Sequence, residues 1–493
     1  MKILLIWPKF PDTFWSFKYA LPFIAKKAAS PPLGLLTVAS ILPKEWKKKL
    51  VDLNVEKLRD RDILGTDFVF ISAMIAQKES VQKIIKKAKK FNKKIVAGGP
   101  LFITGSEDYL KDIDHLVLGE AEITLPFFLE DLKNGNLKKI YKTDQFVDMV
   151  KSPPPLWKLI DFGKYASLSV QYSRGCPFNC EFCDVTVLYG RVQRTKDKNQ
   201  VLKELDILYA GDWRGEVFFV DDNFIGNKEK LKREILPAII KWQEKRKYPF
   251  SFNTQLSINL ADDKELMKMM AEAGFIKVFV GIETVDEESL KGCGKFQNVN
   301  RNLLESVKII QNHGLEVQGG FILGFDQDSP SIFDRITKFI QRSGICSAMV
   351  GLLGVAPKTR LYQRLKAENR LLCKPTGDNT DATLSFIPKM GAETLVAGYK
   401  KVTNTIYKPS YYYWRLIKFL KQYRPKGKIV RIDFTHFVAF LKSIWFLGIK
   451  GKERLYYWRL VFWTLINRPE LFPKAIELAI YGFHFRKIFQ RIA

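Results

Sequence analysis

The sequence predicts an α/β protein in which two successive parallel-sheet regions precede a mainly helical one. Three observations lead there. Short apolar strands alternate with helical stretches up to about residue 135; a second series of six strand-and-helix units follows the stiff segment Ser152-Pro153-Pro154-Pro155; and from about residue 376 the strand pattern gives way to helical periodicity. The chain of 493 residues thus divides into regions 1–150, 151–375 and 376–493, and a hydrophobic content of 46% leaves material for a core in each.

Ile3 to Trp7 reads as a buried first strand, an apolar run stopped by Pro8 and too short for a signal peptide. A helix follows from the turn Pro31-Pro32-Leu33-Gly34 through Ile41, and Lys49 to Asn54 and Phe68 to Ala73 are the next strands. Glu79 to Phe91 is a helix with a lysine-rich outer face. Lys94 to Ala97 is a strand ending at Gly98-Gly99-Pro100, and His115 to Leu118 one ending at Gly119-Glu120. Strand, turn and helix repeating in this way form a Rossmann-like layer whose ligands sit beyond the carboxyl ends of the strands. The loops there are Ser72–Gln77, Gly98–Thr104 and Gly119–Thr124, and their glycines permit close backbone approach. No GxGxxG accompanies them, so a dinucleotide site has no support.

In the second region, strands at about 168–173, 216–221, 250–256, 276–282, 315–323 and 346–353 each precede a helical stretch. After the first of them comes Arg174-Gly175-Cys176-Pro177-Phe178-Asn179-Cys180-Glu181-Phe182-Cys183-Asp184, three thiols spaced CxxxCxxC. A loop this tight can aim Cys176, Cys180 and Cys183 at one [4Fe-4S] cluster and leave the fourth iron open to a small molecule. Structural zinc would need a distant fourth ligand from Cys293, Cys346, Cys373 or one of the 4 His. A disulfide framework would need a Cys-dense secreted chain, and 6 Cys in 493 residues is not that.

CxxxCxxC with an aromatic, Phe182, before the last Cys resembles the signature of the radical S-adenosylmethionine (SAM) superfamily. The resemblance implies a partial TIM barrel of six β/α units. It also implies a cluster whose free iron chelates SAM, and cleavage of SAM to a 5′-deoxyadenosyl radical, with flavodoxin or ferredoxin as electron donor. Further elements carry the resemblance in the family's order. After the second strand stand Asp221 and Asp222, where the family holds the SAM amine and a carboxylate suits an ammonium. After the third, Ser257 and Asn259 offer groups suited to ribose or carboxylate. Gly281-Ile282-Glu283 resembles the element whose Glu contacts SAM, and Gly320 lies in an element that passes its backbone along the adenine. Helix capping is the competing role for Asp221 or Asp222, and turn geometry that for Asp326 and Asp328.

By arrangement the first region resembles the cobalamin-binding domain of class B radical SAM methyltransferases. That implies cobalamin on the carboxyl-end loops, at Ser72, Met74, Gly98, Gly99, Gly119 and Glu120. The motif DxHxxG is absent, since Asp114-His115 has its glycine only at Gly119, and no histidine below cobalt is expected. A domain that only packs on its neighbour is the alternative.

The last fifth is the most basic. Residues 391–493 hold 20 Lys and Arg against 5 Asp and Glu, a net +15 of the chain's +28, interleaved with aromatics as in Tyr411-Tyr412-Tyr413-Trp414-Arg415. Such a pattern suits an anionic bilayer interface; it also suits RNA, or a helical core with solvated cations. The segments Thr376 to Thr380, Ile387 to Met390 and Tyr399 to Tyr407 resemble the extra domain of the hopanoid C-2 methylase family. No uncharged apolar run reaches the roughly 18 residues of a membrane span. The expectation is a cytoplasmic enzyme, peripheral on the inner face of the membrane, methylating an unactivated carbon of a lipid with methylcobalamin. The rivals are a radical SAM enzyme that joins carbons in lipids without methyl transfer, a peptide- or RNA-modifying methyltransferase, and a scaffold holding a structural cluster.

Overall fold

A computed structural model describes residues 1–378, 380–426 and 434–491. The first region is one parallel sheet of β1 (Lys2–Trp7), β2 (Lys47–Asp52), β3 (Phe68–Ser72), β4 (Lys94–Gly98), β5 (His115–Val117) and β6 (Ile140–Tyr141), in the order β2-β1-β3-β4-β5-β6. Ile3 to Ile6 and Val69 to Ile71 are buried because these inner strands carry helices on both faces, as parallel sheets require. The helix Lys78–Lys90 turns Val81, Ile84, Ile85 and Ala88 inward at helical spacing and its lysines outward. The two-residue edge strand β6 has too little pattern to be read from sequence.

The second sheet comprises β7 (Ser167–Val170), then, after the two short strands β8 (Ser173–Arg174) and β9 (Arg194–Thr195), β10 (Glu216–Phe219), β11 (Ser251–Leu256), β12 (Phe275–Glu283), β13 (Glu316–Leu323) and β14 (Ala348–Leu352). Its six parallel strands run β14-β13-β12-β11-β10-β7, an open succession of β/α units that matches the expected partial barrel. The expected strand at 168–173 is shorter than predicted. It ends at Val170, and β8 instead pairs antiparallel with β9 to frame the cysteine loop.

The C-terminal helices are Ala392–Tyr407, Pro409–Gln422, Phe434–Ser443 continued by a wide turn at Ile444–Ile449, Arg454–Asn467 and Phe472–Phe489. Helix begins only at Ala392, later than the pattern predicts; the stretch before it is irregular, with one bridge between Leu371 and Phe386, and Asn379 of the expected segment lies outside the described residues.

This region is continuous with the core of the rest. Phe14 stacks on Phe485 with centroids 4.0 Å apart, Trp15 meets Phe279 of β12 edge-on at 5.3 Å, and Phe17 lies on His484. The helix Phe472–Phe489 also closes the amino end of the barrel with charge. Lys277 bridges Glu216 at 2.6 Å and Glu477 at 2.7 Å, and Lys474 bridges Glu316 at 3.0 Å and Glu477 at 2.7 Å. Burial lowers the Lys277 ammonium, but Glu216 and Glu477 together hold it well above the usual lysine range. The aromatics divide between two fates: Tyr412, Tyr413 and Tyr457 are core residues, whereas Trp414, Trp445 and Phe462 are exposed.

Candidate functional site

The cysteine loop sits at the carboxyl edge of the barrel, where β/α folds gather reactive groups. Gly175 opens it at φ +91°, and a Cβ there would stand 2.5 Å from the Val192 carbonyl oxygen, so only glycine lets the loop start. The Gly175 amide donates to Asp222 (2.8 Å), that of Cys176 to the Gly190 carbonyl (3.3 Å) and that of Glu181 to the Cys293 carbonyl (2.8 Å). Glu181 is held by Arg364 at 2.6 Å, and Arg364 also binds Asp326, whose second partner is Arg370 at 2.6 Å. Asp326 is therefore an anchor for the far side of the loop.

Cys180 is buried, and Cys176 and Cys183 are partly so; burial pushes the thiols of Cys176 and Cys183 above the usual range. Among the described residues no three His, Cys, Asp or Glu side chains close on a single ion. A cuboidal cluster does not ask that of them, since each thiolate takes its own iron. Cys293 and Cys346 are buried and Cys373 is exposed.

The expected SAM residues fall into three groups. Ser257 and Asn259 line a cleft of about 590 Å³ beside Pro177, Phe178, Gln193 and Asn223. Ser257 donates to Asn259 Oδ1 (2.6 Å), and its amide donates to Asn223 (3.2 Å). Gln193 Oε1 is buried there without a partner among the described residues, an acceptor suited to an incoming polar ligand.

Asp222 and Glu283 stand close to the loop. Burial raises the Asp222 carboxyl to about 6. Glu283, at φ +64° on a β12 bulge, pairs with the buried Lys295 at 2.8 Å.

Three of the residues expected at SAM have partners within the protein. Asp221 is wholly enclosed, its oxygens taken by the Ser173 amide and hydroxyl and the Tyr172 amide, so it anchors β8; burial lifts it to about 7. The Phe182 ring packs on Phe325 at 5.9 Å, in the apolar cluster under the loop. The Cα of Gly320 faces the Phe279 ring, 2.8 Å from where a Cβ would stand, so the missing side chain serves packing inside the barrel.

On the opposite side are the carboxyl-end loops of the first sheet. A Cβ at Gly98 would lie 2.6 Å from the Val117 carbonyl oxygen, and one at Gly99, φ +91°, 2.7 Å from Ser72 Oγ. Met74 is exposed, and Gly119 has the left-handed φ of +92°. The stretch after β14 covers these loops: Lys358 donates to the Ile103 carbonyl (2.7 Å), Lys374 pairs with Asp108 (2.5 Å), and Gly377 abuts Ala76.

Glu120 is held from three sides. Its carboxylate, 2% exposed, accepts from Arg174 (3.0 Å), Arg194 (2.8 Å) and the Val147 amide (2.6 Å). Arg174 also binds Glu122 at 2.8 Å, and Ser152 of the linker donates to Glu122 at 2.7 Å. Two acids from the first region thus grip the residue two positions before Cys176. His115 opens β5 at the opposite edge and bonds the Lys138 carbonyl (2.7 Å), remote from these loops.

Lys295 is the principal residue that sequence reasoning missed. Burial lowers its ammonium, but Glu283 and then Cys180 outweigh burial and hold it charged. Gln297 lies 3.9 Å from Cys180 Sγ. Only the glycines flanking Cys293, in Gly292-Cys293-Gly294-Lys295, hint in sequence that this segment approaches the loop; Gly294 lies beside the Asn179 carbonyl.

Comparison with known proteins places these features in company. The family description Radical SAM superfamily matches residues 170–340, and a domain of unknown function (DUF4070) matches residues 359–493. An uncharacterized methyltransferase of Synechocystis is 43% identical over 491 residues, 98% of this chain and 91% of that one. Hopanoid C-2 methylase of Rhodopseudomonas palustris is 33% identical over 483 residues, 94% and 90% of the two chains. In fold, the chain is similar to the cobalamin-dependent SAM radical enzyme OxsB, solved with aqua-cobalamin and SAM bound, at a TM-score of 0.64 and 17% identity over 99% of this chain and 80% of that one.

Proposed function

Because the chain belongs to the radical SAM methyltransferase family that includes hopanoid C-2 methylase, we propose that it methylates an unactivated carbon of an apolar, lipid-like substrate. The groups it needs are a [4Fe-4S] cluster, SAM and cobalamin, which supply radical generation and a methyl carrier; the protein contributes positioning and exclusion of water. Cys176, Cys180 and Cys183 hold the cluster in this reading. Asn223, Ser257, Asn259 and the unpartnered Gln193 Oε1 offer SAM its polar contacts, with Asp222 and the Glu283–Lys295 pair fixing the backbone and charge beside it. Ser72, Met74, Gly98, Gly99 and Gly119 line the loops assigned to cobalamin.

The observation that carries the reading is the grip of Glu120 and Glu122 on Arg174, which sets the carboxyl edge of the first sheet against the cysteine loop. Two cofactors that must act on one substrate carbon need that apposition. The relative named hopanoid C-2 methylase supports a polycyclic or isoprenoid lipid as substrate. Among the described residues no helix is long and apolar enough to cross a membrane; a peripheral position on the bilayer would give access to such a lipid.

The test is anaerobic reconstitution with iron, sulfide and cobalamin. The expected result is SAM-derived deoxyadenosine from the wild-type chain and none from Cys180→Ala, with the far-ultraviolet circular dichroism of the two proteins alike. SAM cleavage by Cys180→Ala at the wild-type rate sinks the cluster assignment. A wild-type chain that cleaves SAM but binds no cobalamin turns the reading to a radical SAM enzyme without methyl transfer.

A further inference from the structure

The segments 434–449 and 454–467 form one layer resting on the helix Phe472–Phe489. The two are pinned together by Ser443 with the Tyr457 hydroxyl (2.7 Å) and by the Trp458 indole donating to the Gly448 carbonyl (3.0 Å). Their inward faces are ordinary core: Ala439, Ser443, Leu447, Tyr457, Leu460, Val461 and Thr464 are buried. Their outward faces are apolar too. Phe437, Leu441 and Trp445 recur every four residues on the first segment, and Leu455, Phe462 and Ile466 run along the second, with Leu455 and Ile466 each 79% exposed. Soluble proteins rarely expose so contiguous an apolar surface unless it has an occupant.

Charge says which occupant. Residues 434–467 carry five Lys and Arg and a single acid, Glu453, and that acid is buried against Arg486. Lys450 lies over the exposed Trp445 ring at 4.6 Å, and Arg459 stands on the same stripe as Leu455 and Phe462. Apolar side chains ringed by cations that form no ion pair among the described residues complement a surface that is apolar within and anionic at its boundary, with the tryptophan at the level between. RNA would be held by stacking, and Leu455 and Ile466, among the most exposed side chains of the face, cannot stack, whereas Phe437, Trp445 and Phe462 between the aliphatics suit a bilayer interface as well.

We infer that the outer face of residues 434–467 docks the enzyme on an anionic lipid bilayer. This deepens the reading of a membrane-borne substrate given above and rests on it. The test is sedimentation of the full chain with phosphatidylglycerol-containing and pure phosphatidylcholine vesicles, comparing wild type with the variant Leu441→Gln, Trp445→Gln, Leu455→Gln, Ile466→Gln. These four side chains are exposed, so the variant should keep its helical circular dichroism and its SAM cleavage. The expected result is salt-sensitive wild-type binding to the anionic vesicles and at least tenfold weaker binding of the variant.

Equal binding by both proteins, or no wild-type binding to either vesicle, overturns the inference. So does a wild-type dimer that the substitutions dissociate, which would make the face a self-interface. Since vesicle binding is read without activity, loss of the docking face with SAM cleavage intact leaves the reaction reading standing, and the converse leaves the docking face.

Discussion

Arg174→Met should loosen the junction between the two sheets. Arg174 is the shared cation of Glu120 and Glu122, whose side chains are 2% and 6% exposed. Removing one partner of a buried pair costs about 3–5 kcal/mol, because the other charge stays buried. Glu120 keeps Arg194 and the Val147 amide, and Glu122 keeps the Ser152 hydroxyl and its own backbone amide, so the lower end, about 3 kcal/mol, is expected. For a unit of 150–250 residues that is about 6–12 °C in melting temperature.

The pH dependence separates this cause from lost packing. Burial raises the Glu122 carboxyl, but Arg174 more than offsets it and the net shift is downward. A depressed carboxyl contributes stability that is complete above its unfolded value near 4.3 and is lost as pH falls through the lower folded value. Without Arg174 burial, the largest single influence, is opposed only by the Ser152 hydroxyl and a backbone hydrogen bond, and the folded value moves up past the unfolded one. The deficit is then largest at neutral pH and shrinks towards pH 5, where Glu122 takes up a proton. Thermal melts at pH 8 and pH 5 on wild type, Arg174→Met, Glu122→Gln and the double variant measure it. Glu122→Gln should restore part of what Arg174→Met removes, a coupling of about 1–3 kcal/mol. A variant melting within 1–2 °C of wild type at pH 8, or an equal deficit at both pH values, would refute the reasoning.

Other consequences are as accessible. Gly281→Ala places a Cβ onto the Glu283 carboxylate and 2.9 Å from Lys295 Nζ, so the buried pair is displaced: deoxyadenosine formation should fall at least tenfold and the melting temperature should fall with it; unchanged turnover would exclude that pair from the site. Lys277→Met strands Glu216 at the closed end of the barrel and leaves Glu477 with Lys474 alone, and should cost about 3 kcal/mol, partly recovered by adding Glu216→Gln; a neutral outcome in thermal melts would show that floor to be hydrated. Bound cob(II)alamin should show no protein histidine nitrogen coupling in electron paramagnetic resonance, because His115 lies at the wrong edge of the sheet; such coupling would contradict the placement of the loops.

The sequence by itself determined the class of the protein and the order of its chemistry. Apolar strands buried on both faces declare themselves as short continuous runs, and Cys176, Cys180 and Cys183 lie within eight residues, so no tertiary information is needed to group them. What only the tertiary structure decided are the partnerships between distant residues of unremarkable local context. Asp221 and Asp222 are neighbours in sequence, yet one is sealed under β8 and the other holds Gly175, a difference of side-chain direction along one extended segment.

Glu120 reads in sequence as one acid of a loop, and only the fold brings Arg174 and Arg194 to it from more than fifty residues away. Lys295 carries no motif, and its meaning lies in a bulge at Glu283 and a loop that returns beside Cys180. In the last fifth, composition fixed the charge but left open which aromatics turn inward. That was settled by the helix Phe472–Phe489, which takes Tyr412 and Tyr457 into the core and leaves Trp445 and Phe462 outside, because one helix offers only so much surface to pack against.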